Sequence, residues 1–345
     1  MSATVAPHEP CAHLGGRLAT GLLEVSHDPA VLDAGGWWAV VLPYDGAPVL
    51  ARFAEVHEAE APDGDWIGPS RGSWCSSASR EEYVDAVQEV RSHIAAGDVY
   101  QANVCRVLSA PLPDPSRADV AGLAALLRVG NPSPYGGFLR LPDQGMHVAT
   151  ASPELFLHRT GDVVESGPIK GTGRTADDLA PKDSAENVMI VDLVRNDLGA
   201  VARTGSVTVP HLLALEQHPG LVHLVSTVRG ELREGTTWPQ LLGATFPPGS
   251  VTGAPKSSAL RIIAEVERAS RGPYCGAVGW VDADAGTAEL AVAIRTFWRD
   301  GDELRFGTGA GITWGSDPLR EWDETELKAE TLLGVAAGSW QGGRP

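Results

Sequence analysis

One lysine of the chain lies in a glycine-rich segment, where few side chains cover the backbone. Lys170 lies in SGPIKGTGR, residues 166–174, between a proline and two glycines. A lysine amine is a nucleophile only when uncharged, a form that neighbouring cations or exclusion of water favour. Gly171 would let the backbone approach a bound molecule closely. The segment predicts a lysine that reacts with a ligand; the alternative is a lysine that merely pairs with an acidic neighbour.

Two pairs of acidic residues have the spacing of a helix face. Asp183 and Glu186 are three residues apart, as are Glu321 and Glu324, so each pair lies on one side of its predicted helix. Two such pairs facing each other would form the oxygen-rich site that Mg²⁺ prefers. The alternative is that acidic residues in first helical turns only interact with the helix macrodipole.

An arginine and a glycine-rich segment could bind an anion. In TAELAVAIRTFW, strand alternation places Arg295 on the same face as Ala291 and Ala293, whose small side chains leave room for a ligand. A guanidinium can hold a carboxylate through two hydrogen bonds, although a surface arginine is the alternative. Nearby, GTGAGI, residues 307–312, offers backbone N–H groups to an anion.

The segment GSVTGAPKS, residues 249–257, resembles a phosphate-binding loop and fails at one position. A P-loop has glycine before its lysine, whereas Pro255 has no N–H to donate and cannot adopt glycine's conformations. A nucleoside triphosphatase is therefore disfavoured. We expect Pro255 to lie in the first turn of a helix instead.

Hydrophobic periodicity indicates the elements that must position these residues. The first 60 residues alternate apolar runs and turns, which is typical of an antiparallel sheet. Ser79 and Glu82 form a capping box for a helix that ends at Gly97. Residues 147–159 are predicted to form one strand with Glu154 near its middle, and residues 163–174 a strand that runs into a glycine-rich turn.

The later part of the chain mixes helices with a predicted three-stranded meander. Helices are expected over residues 183–201, from about residue 252, and from Asp317 to about Gly338. The meander covers residues 274–313. This order lacks a regular βαβ alternation and favours an α+β fold. We expect a short β-rich region, residues 1–78, packed on a catalytic unit, residues 79–345.

Composition limits the classes of partner. The formal net charge is −17, which disfavours nucleic acid and anionic membranes. No apolar run approaches the roughly 20 residues of a membrane span, and the N-terminal stretch lacks the features of a signal peptide, so a cytoplasmic location is expected. Four widely spaced cysteines predict buried free thiols. An anionic substrate would need a local source of positive charge.

Together these segments resemble the chorismate-utilising enzyme family, which includes anthranilate, aminodeoxychorismate, isochorismate and salicylate synthases. The resemblance runs from about residue 79 to residue 335, in family order. Its motifs include GDVYQANVCR, NPSPYGGFL, ASPELFL, GPIKGTGR, SAENVMIVDLVRNDLG, FPPGSVTGAPKSSALRII, GPYCGAVGW, AIRTF, GTGAGIT and SDPLREWDETELKA. It implies an α+β fold with two stacked β-sheets, flanking helices and a deep central cleft that holds Mg²⁺.

The resemblance also implies a role for individual residues. Glu186 and Glu324 match the family's magnesium ligands, with Asp183 and Glu321 adjoining, and Glu154 matches the acid that protonates the leaving hydroxyl. Such an acid needs a raised pKa, which predicts a desolvated or like-charged setting. The implied chorismate-binding positions are Gly171, Thr172, His223, Ser250, Thr252, Tyr274, Arg295, Gly309, Ala310, Gly311 and, more weakly, Lys328.

Two positions select a branch within this resemblance. Isochorismate and salicylate synthases have a water-activating lysine where this chain has Gln101. Anthranilate synthases typically read PIAGT where this chain reads PIKGT, the form found in aminodeoxychorismate synthases. The implied activity is amination of chorismate at C4 through a covalent Lys170 intermediate, on the route to p-aminobenzoate and folate. Anthranilate synthase, or a chorismate-binding subunit without catalysis, are the alternatives.

The ammonia must come from another source. The chain has no G-x-C-x-G nucleophile segment, so no glutaminase is fused to it. The resemblance therefore implies a glutamine amidotransferase subunit as partner, with free ammonia as the alternative. Asn187 departs from the family, which more often has histidine there, and GLLEVS replaces a segment that binds tryptophan in some relatives.

Overall fold

The computed structural model describes residues 6, 9–173, 175, 181–218 and 221–338. Of the side chains at positions 172, 173, 181–183, 217, 218 and 221 nothing is described. The described part contains six α-helices and eighteen β-strands, in the α+β mixture that the sequence predicts.

The helices are α1 (Arg80–Ala96), α2 (Val120–Gly130), α3 (Pro181–Gly199), α4 (Trp238–Thr245), α5 (Lys256–Val266) and α6 (Pro318–Ala336). The strands are β1 (Cys11–Leu14), β2 (Arg17–Ser26), β3 (Trp37–Leu42), β4 (Val49–Glu58), β5 (Cys75–Ser76), β6 (Gln101–Pro111), β7 (Tyr135–Leu141), β8 (Met146–Ser152), β9 (Leu155–Thr160), β10 (Val163–Gly167), β11 (Ile169–Gly173), β12 (Thr208–His218), β13 (Leu221–Glu231), β14 (Gly253–Ala254), β15 (Ala277–Asp282), β16 (Thr287–Val292), β17 (Thr296–Asp300) and β18 (Glu303–Ile312).

The strands form one continuous antiparallel ribbon that divides into two halves. One half runs β6–β18–β17–β8–β7. The other runs β4–β3–β15–β16–β9–β10–β13–β12. The strands β1 and β2 join them, since β1 pairs with β7 and β2 pairs with β4. Strands from before residue 79 are therefore integral to both halves of the sheet.

Two connections cross directly from one half of the sheet to the other. Each lies within a segment that the sequence predicted to be a single strand. Residues 147–159 form two strands, β8 and β9, that end and begin on either side of Pro153 and Glu154. Similarly, β16 and β17 are separated by residues 293–295, so the predicted three-stranded meander is wrong. Proline cannot donate to a ladder, and Arg295 takes a φ of 51°, which strand geometry does not allow.

The lysine-bearing segment is a strand rather than the glycine-rich turn expected. Pro168 separates β10 from β11, and Lys170 lies within β11, which pairs with β13. The ladder register shifts between Ile169 and Thr172, as at a β-bulge. Gly171 has a φ of 83° in this bulge, a conformation that glycine adopts without strain. The glycine is thus required by the backbone path itself.

Local signals at helix ends are confirmed. Ser79 and Glu82 form the predicted capping box of α1, and Gly97 ends this helix in the left-handed conformation. Asp317 caps α6 by accepting hydrogen bonds from the N–H groups of Leu319 and Arg320. In α5, Pro255 is the N-cap residue, one position earlier than expected. Among the described helices, none combines the length and apolar character needed to cross a bilayer.

Three clusters of buried apolar side chains stabilise this arrangement. The largest includes Trp38, Leu50 and Leu290 from the strands and Ile190 and Leu241 from α3 and α4. A second lies under α2 and α6, and a third between α1, α5 and the start of β6. The helices thus cover the sheet while the strand crossings near Glu154 and Arg295 bring polar groups into the interior.

Candidate active site

The residue Ser250 contacts both groups that the sequence nominates for chemistry. The Nζ atom of Lys170 donates to the Ser250 carbonyl oxygen at 3.3 Å. The Ser250 hydroxyl is hydrogen-bonded to the Glu154 carboxyl, which also accepts from the Ile169 N–H and interacts electrostatically with Lys170. Ser250 lies in a short 3-10 turn, Gly249–Val251, just before α5. Ser250 therefore interacts with both the predicted nucleophile and the predicted acid.

Glu154 occupies the setting predicted for a proton donor. Its side chain is buried, and this burial raises the pKa of its carboxyl above the ordinary value, although Lys170 and the two hydrogen bonds oppose the rise. Removal from water disfavours the charged form of an acid. The predicted raised pKa of Glu154 is confirmed, and its cause is desolvation; the neighbour is a cation and not a second acid.

The charged neighbour of Lys170 differs from the one that the sequence suggests. Neighbouring cations or exclusion of water would favour an uncharged lysine, whereas the Glu154 carboxyl interacts electrostatically with Lys170 in the structure.

A cavity adjoins Glu154 and Ser250. It is small, about 20 Å³, and is bounded by β9, α3, α4 and the turn Gly249–Val251. Its polar lining includes Glu154, Ser250 and Asp197, and most of the remaining lining is apolar, including Phe156 and Val194. A cavity of this volume accommodates about one water molecule.

Asp197 is a second buried acid in this cavity, and sequence reasoning did not single it out. Its carboxylate pairs with Lys256 Nζ at 2.7 Å, and Lys256 also donates to the Thr245 carbonyl oxygen at 2.9 Å. Burial nevertheless raises the pKa of Asp197, since desolvation outweighs this pairing. The ion pair connects the C-terminal part of α3 to the start of α5, which accounts for the lysine of GAPKS.

Arg295 lies at the second strand crossing. Its backbone carbonyl accepts from the Ala151 N–H at 3.0 Å, while the Val292 N–H donates to the Glu154 carbonyl at 2.9 Å, so the two crossings adjoin. Burial lowers the pKa of the guanidinium, which nonetheless remains a cation. Within the described residues it has no hydrogen bond or ion pair. A half-buried cation without a partner is suited to bind an anion.

The strand β18 gathers several of the predicted binding residues. Gly309, Ala310 and Gly311 lie in regular strand opposite Cys105, Val104 and Asn103 of β6. Pairing with β17 stops at Phe306. Beyond that residue, β6 is the one strand that pairs with β18 in the described structure, so the other edge of β18 has no strand partner there.

Three side chains surround this part of β18. A Cβ atom at Gly307 would lie 2.0 Å from the ring of Tyr274, and one at Gly311 would lie 2.3 Å from Gln101 Nε2. Both side chains are buried, and burial raises the pKa of Tyr274 well above its usual value. Among the described residues, the Gln101 carboxamide oxygen has no hydrogen-bond partner. Lys328 donates to the Gly309 carbonyl at 3.0 Å.

The predicted metal ligands lie on two helices. Glu186 is half-buried on α3, Glu321 is buried on α6, and Glu324 is exposed and pairs with Lys328 at 2.7 Å. The side chain of Asp183 lies outside the described residues. In the described part of the chain, no three His, Cys, Asp or Glu side chains are grouped closely enough to hold a metal ion. The carboxylates suit Mg²⁺ in kind, and the magnesium site remains a prediction.

The remaining predicted residues have mainly structural contacts. His223 is buried on β13, opposite Thr172, whose side chain is outside the described part. The Thr252 hydroxyl donates to the Pro248 carbonyl at 3.0 Å. Asn187 is buried, donates to the Leu224 carbonyl at 3.1 Å and accepts from the Ser226 hydroxyl. Asn187 thereby attaches α3 to β13.

Sequence reasoning also missed a buried ion pair behind the turn Gly249–Val251. Arg271 is 1% exposed and binds Glu267 through Nε at 2.8 Å and Nη2 at 2.7 Å. The i,i+4 spacing of these residues was a signal for the pair. On its own, however, this spacing predicts an exposed helix pair, whereas α5 ends at Val266 and the chain then turns inward.

Comparison with known proteins identifies the family and the fold. A family model described as chorismate binding enzyme matches residues 48–334. The protein belongs to the chorismate-binding enzyme family. The solved structure of a proposed 2,3-dihydroxybenzoate-specific isochorismate synthase, DhbC, from Bacillus anthracis superimposes with a TM-score of 0.80 over 96% of this chain and 97% of that one, at 24% identity. This likeness confirms the predicted fold.

Two curated relatives show where the chain lies within the family. It is 43% identical over 298 residues to anthranilate synthase component 1 1 of Haloarcula marismortui, covering 82% of this chain and 59% of that protein. It is 36% identical over 270 residues to aminodeoxychorismate synthase component 1 of Bacillus subtilis, covering 75% of this chain and 56% of that protein. The chain thus spans little more than half the length of either relative.

Proposed function

We propose that the protein aminates chorismate at C4, forming 4-amino-4-deoxychorismate through a covalent intermediate on Lys170. The observation that carries this proposal is the placement of the Lys170 amine against Ser250 and within electrostatic reach of Glu154. A separate glutamine amidotransferase subunit would supply the ammonia, in keeping with relatives that are named as component 1 of a synthase. The product would serve p-aminobenzoate and folate biosynthesis.

The two groups complete a balanced sequence of bond changes. The Lys170 nitrogen attacks C2, the two ring double bonds shift, and the bond from C4 to its hydroxyl breaks as Glu154 donates a proton, so water leaves. The Glu154 carboxylate can then accept the proton that the new C2–N bond releases. Ammonia next attacks C4, the double bonds shift back, and the electron pair of the C2–N bond returns to Lys170, which regains a proton through Glu154.

The substrate is a dianion, and we assign its two carboxylates to different sources of positive charge. Arg295, Tyr274 and the free edge of β18 at Gly309–Gly311 would bind the enolpyruvyl carboxylate. Glu186 and Glu324, with Asp183 and Glu321 adjoining, would hold Mg²⁺, which when bound would neutralise the ring carboxylate. His223, Ser250 and Thr252 would line the pocket, with Lys328 close to the metal side.

A test of the metal assignment uses Glu324. We expect Glu324→Gln to raise the Mg²⁺ concentration for half-maximal activity by about tenfold or more, because one anionic ligand is lost. Calorimetric titration of Mg²⁺ into protein with chorismate gives a second readout. Glu330→Gln, an exposed acid on the same helix, is the control. Equal Mg²⁺ titrations for wild type and Glu324→Gln would exclude Glu324 as a ligand.

Product analysis tests the activity itself. Purified protein supplied with chorismate, Mg²⁺ and an ammonium salt should form aminodeoxychorismate, detected as p-aminobenzoate once a lyase is added. The reason is that Lys170 occupies C2, leaving C4 for ammonia. Anthranilate fluorescence in place of p-aminobenzoate would contradict the proposal.

Anthranilate synthesis is the second candidate, and one observation favours it. Identity to the Haloarcula anthranilate synthase component is 43%, against 36% for the Bacillus aminodeoxychorismate synthase component. The lysine at position 170 argues the other way, because direct amination at C2 requires that the same carbon be free of a protein nucleophile. The product assay separates the two candidates in one experiment.

A further inference from the structure

The turn Gly249–Val251 fixes the position of both proposed reacting groups. Ser250 offers its carbonyl oxygen to Lys170 and its hydroxyl to Glu154. A displacement of this turn would therefore change two contacts at once. The contacts that hold the turn in place therefore affect the positions of both Lys170 and Glu154.

The turn is bound on its flanks. The Asn103 N–H donates to the Thr252 carbonyl at 2.8 Å, which attaches the turn to β6. Arg271 Nη1 donates to the Val251 carbonyl at 3.0 Å, directly beside Ser250. Arg271 Nη2 also donates to the Asn103 carbonyl at 2.7 Å. One guanidinium thus bonds both the turn and the strand to which the turn is attached.

Arg271 is itself rigidly held. Two of its donors bind Glu267, and its guanidinium lies 4.2 Å from the centre of the Tyr44 ring. Glu267 is also fixed, because its carboxylate accepts from the Cys105 N–H at 2.8 Å. A planar fork of donors can satisfy acceptors in several fixed directions, which a single ammonium cannot do.

We propose that Arg271 is a positioning residue for the reaction: it holds the turn Gly249–Val251 where Ser250 contacts both Lys170 and Glu154. The assignment rests on the proposed function for its catalytic consequence. Arg271 touches neither Lys170 nor Glu154 in the contacts described, so it acts through Ser250. Simple stabilisation of the fold by a buried ion pair is the competing explanation.

The variant Arg271→Lys separates these explanations. It keeps a positive charge for Glu267 but cannot also reach the Val251 and Asn103 carbonyls. We expect kcat to fall about tenfold to a hundredfold, in line with small misplacements of reacting groups, while KM for chorismate changes less than about threefold. Loss of the Ser250 hydroxyl bond would raise the pKa of Glu154, so the alkaline limb of the pH profile should move to higher pH.

A matched control is available in Arg140. This arginine is 2% exposed, pairs with Asp119, and donates to the carbonyls of Glu9 at 3.0 Å and Ala6 at 2.7 Å, far along the chain from the turn. Arg140→Lys should lower Tm as Arg271→Lys does, yet leave kcat and the pH profile unchanged. Parallel losses of Tm and kcat in both variants would show that Arg271 only stabilises the fold.

A second readout does not depend on amination. The rate at which an amine-reactive reagent modifies Lys170, followed by peptide mass spectrometry, should rise severalfold in Arg271→Lys and stay at the wild-type value in Arg140→Lys. If the wild-type protein makes anthranilate, the rate of Lys170 modification and the kcat for anthranilate still test whether Arg271 positions the turn. If Arg271→Lys does not fold, Glu267→Gln takes its place. The proposal would be overturned if Lys170 in Glu267→Gln were modified at the same rate as in the wild type and the pH profile were unchanged.

Discussion

Lys170→Ala is expected to form no covalent adduct with chorismate and to lose aminodeoxychorismate formation by on the order of 10⁴-fold or more, the scale seen when a covalent nucleophile is removed. The fold should be retained, because Lys170 contributes one half-buried hydrogen bond, to the Ser250 carbonyl at 3.3 Å. Rates measured by coupled p-aminobenzoate formation, with Tm as a check on folding, give the result.

The chain offers a clean control for this variant. It contains four lysines, Lys170, Lys182, Lys256 and Lys328. Lys256→Arg should keep both the adduct and the activity, because arginine preserves a cation for Asp197, 2.7 Å from the lysine amine. An adduct that persists in Lys170→Ala would show that another residue is the nucleophile.

Glu154→Gln is expected to lower kcat by about 10²- to 10⁴-fold, the usual contribution of a general acid. The wild-type rate should fall as pH rises through the raised pKa of Glu154, because the protonated acid is then lost. The residual kcat of Glu154→Gln should not show this decrease at alkaline pH. The measurement is kcat against pH for both proteins.

Glu154→Gln should lower kcat but should not lower the stability of the fold. A carboxyl whose pKa is raised by folding favours the native state at low pH and loses this contribution as pH rises through the raised value. Glutamine cannot ionise, so Glu154→Gln should keep or increase Tm near neutrality. Asp197→Asn is the control, since Asp197 lines the same cavity; it should retain the alkaline limb. A wild-type limb in Glu154→Gln would identify a different acid.

The electrostatics of the site differ from those of the whole molecule. The net charge of −17 repels a dianion at long range. Arg295 provides positive charge inside the protein, where screening by water is weak, and the described residues do not neutralise it. Binding of a carboxylate there would satisfy a guanidinium that folding has already desolvated.

Local signals in the sequence predicted the helix ends well. The capping box at Ser79 and Glu82, the glycine stop at Gly97 and the cap at Asp317 depend on neighbours within a few residues, which the sequence displays directly. The family resemblance added the positions of Lys170 and Glu154. The raised pKa of Glu154 was predicted from its chemical role, and burial is its cause in the structure.

Features that depend on distant partners could not be predicted. The apolar alternation of residues 287–300 is compatible with one strand, and the break at Arg295 arises because β16 pairs with β9 while β17 pairs with β8. Ser250 is 80 residues from Lys170, so no spacing rule connects them. Likewise, the Arg271 contacts with β6 and the turn exist only once both are folded around it.

Intact-protein mass spectrometry after rapid mixing with chorismate and Mg²⁺, without ammonia, tests the covalent step most directly. We expect a species heavier than the protein by chorismate less one water, located at Lys170 by peptide mapping and lost when ammonium is added. A protein whose mass stays unchanged while ammonium-dependent product forms at the normal rate would contradict covalent catalysis by Lys170.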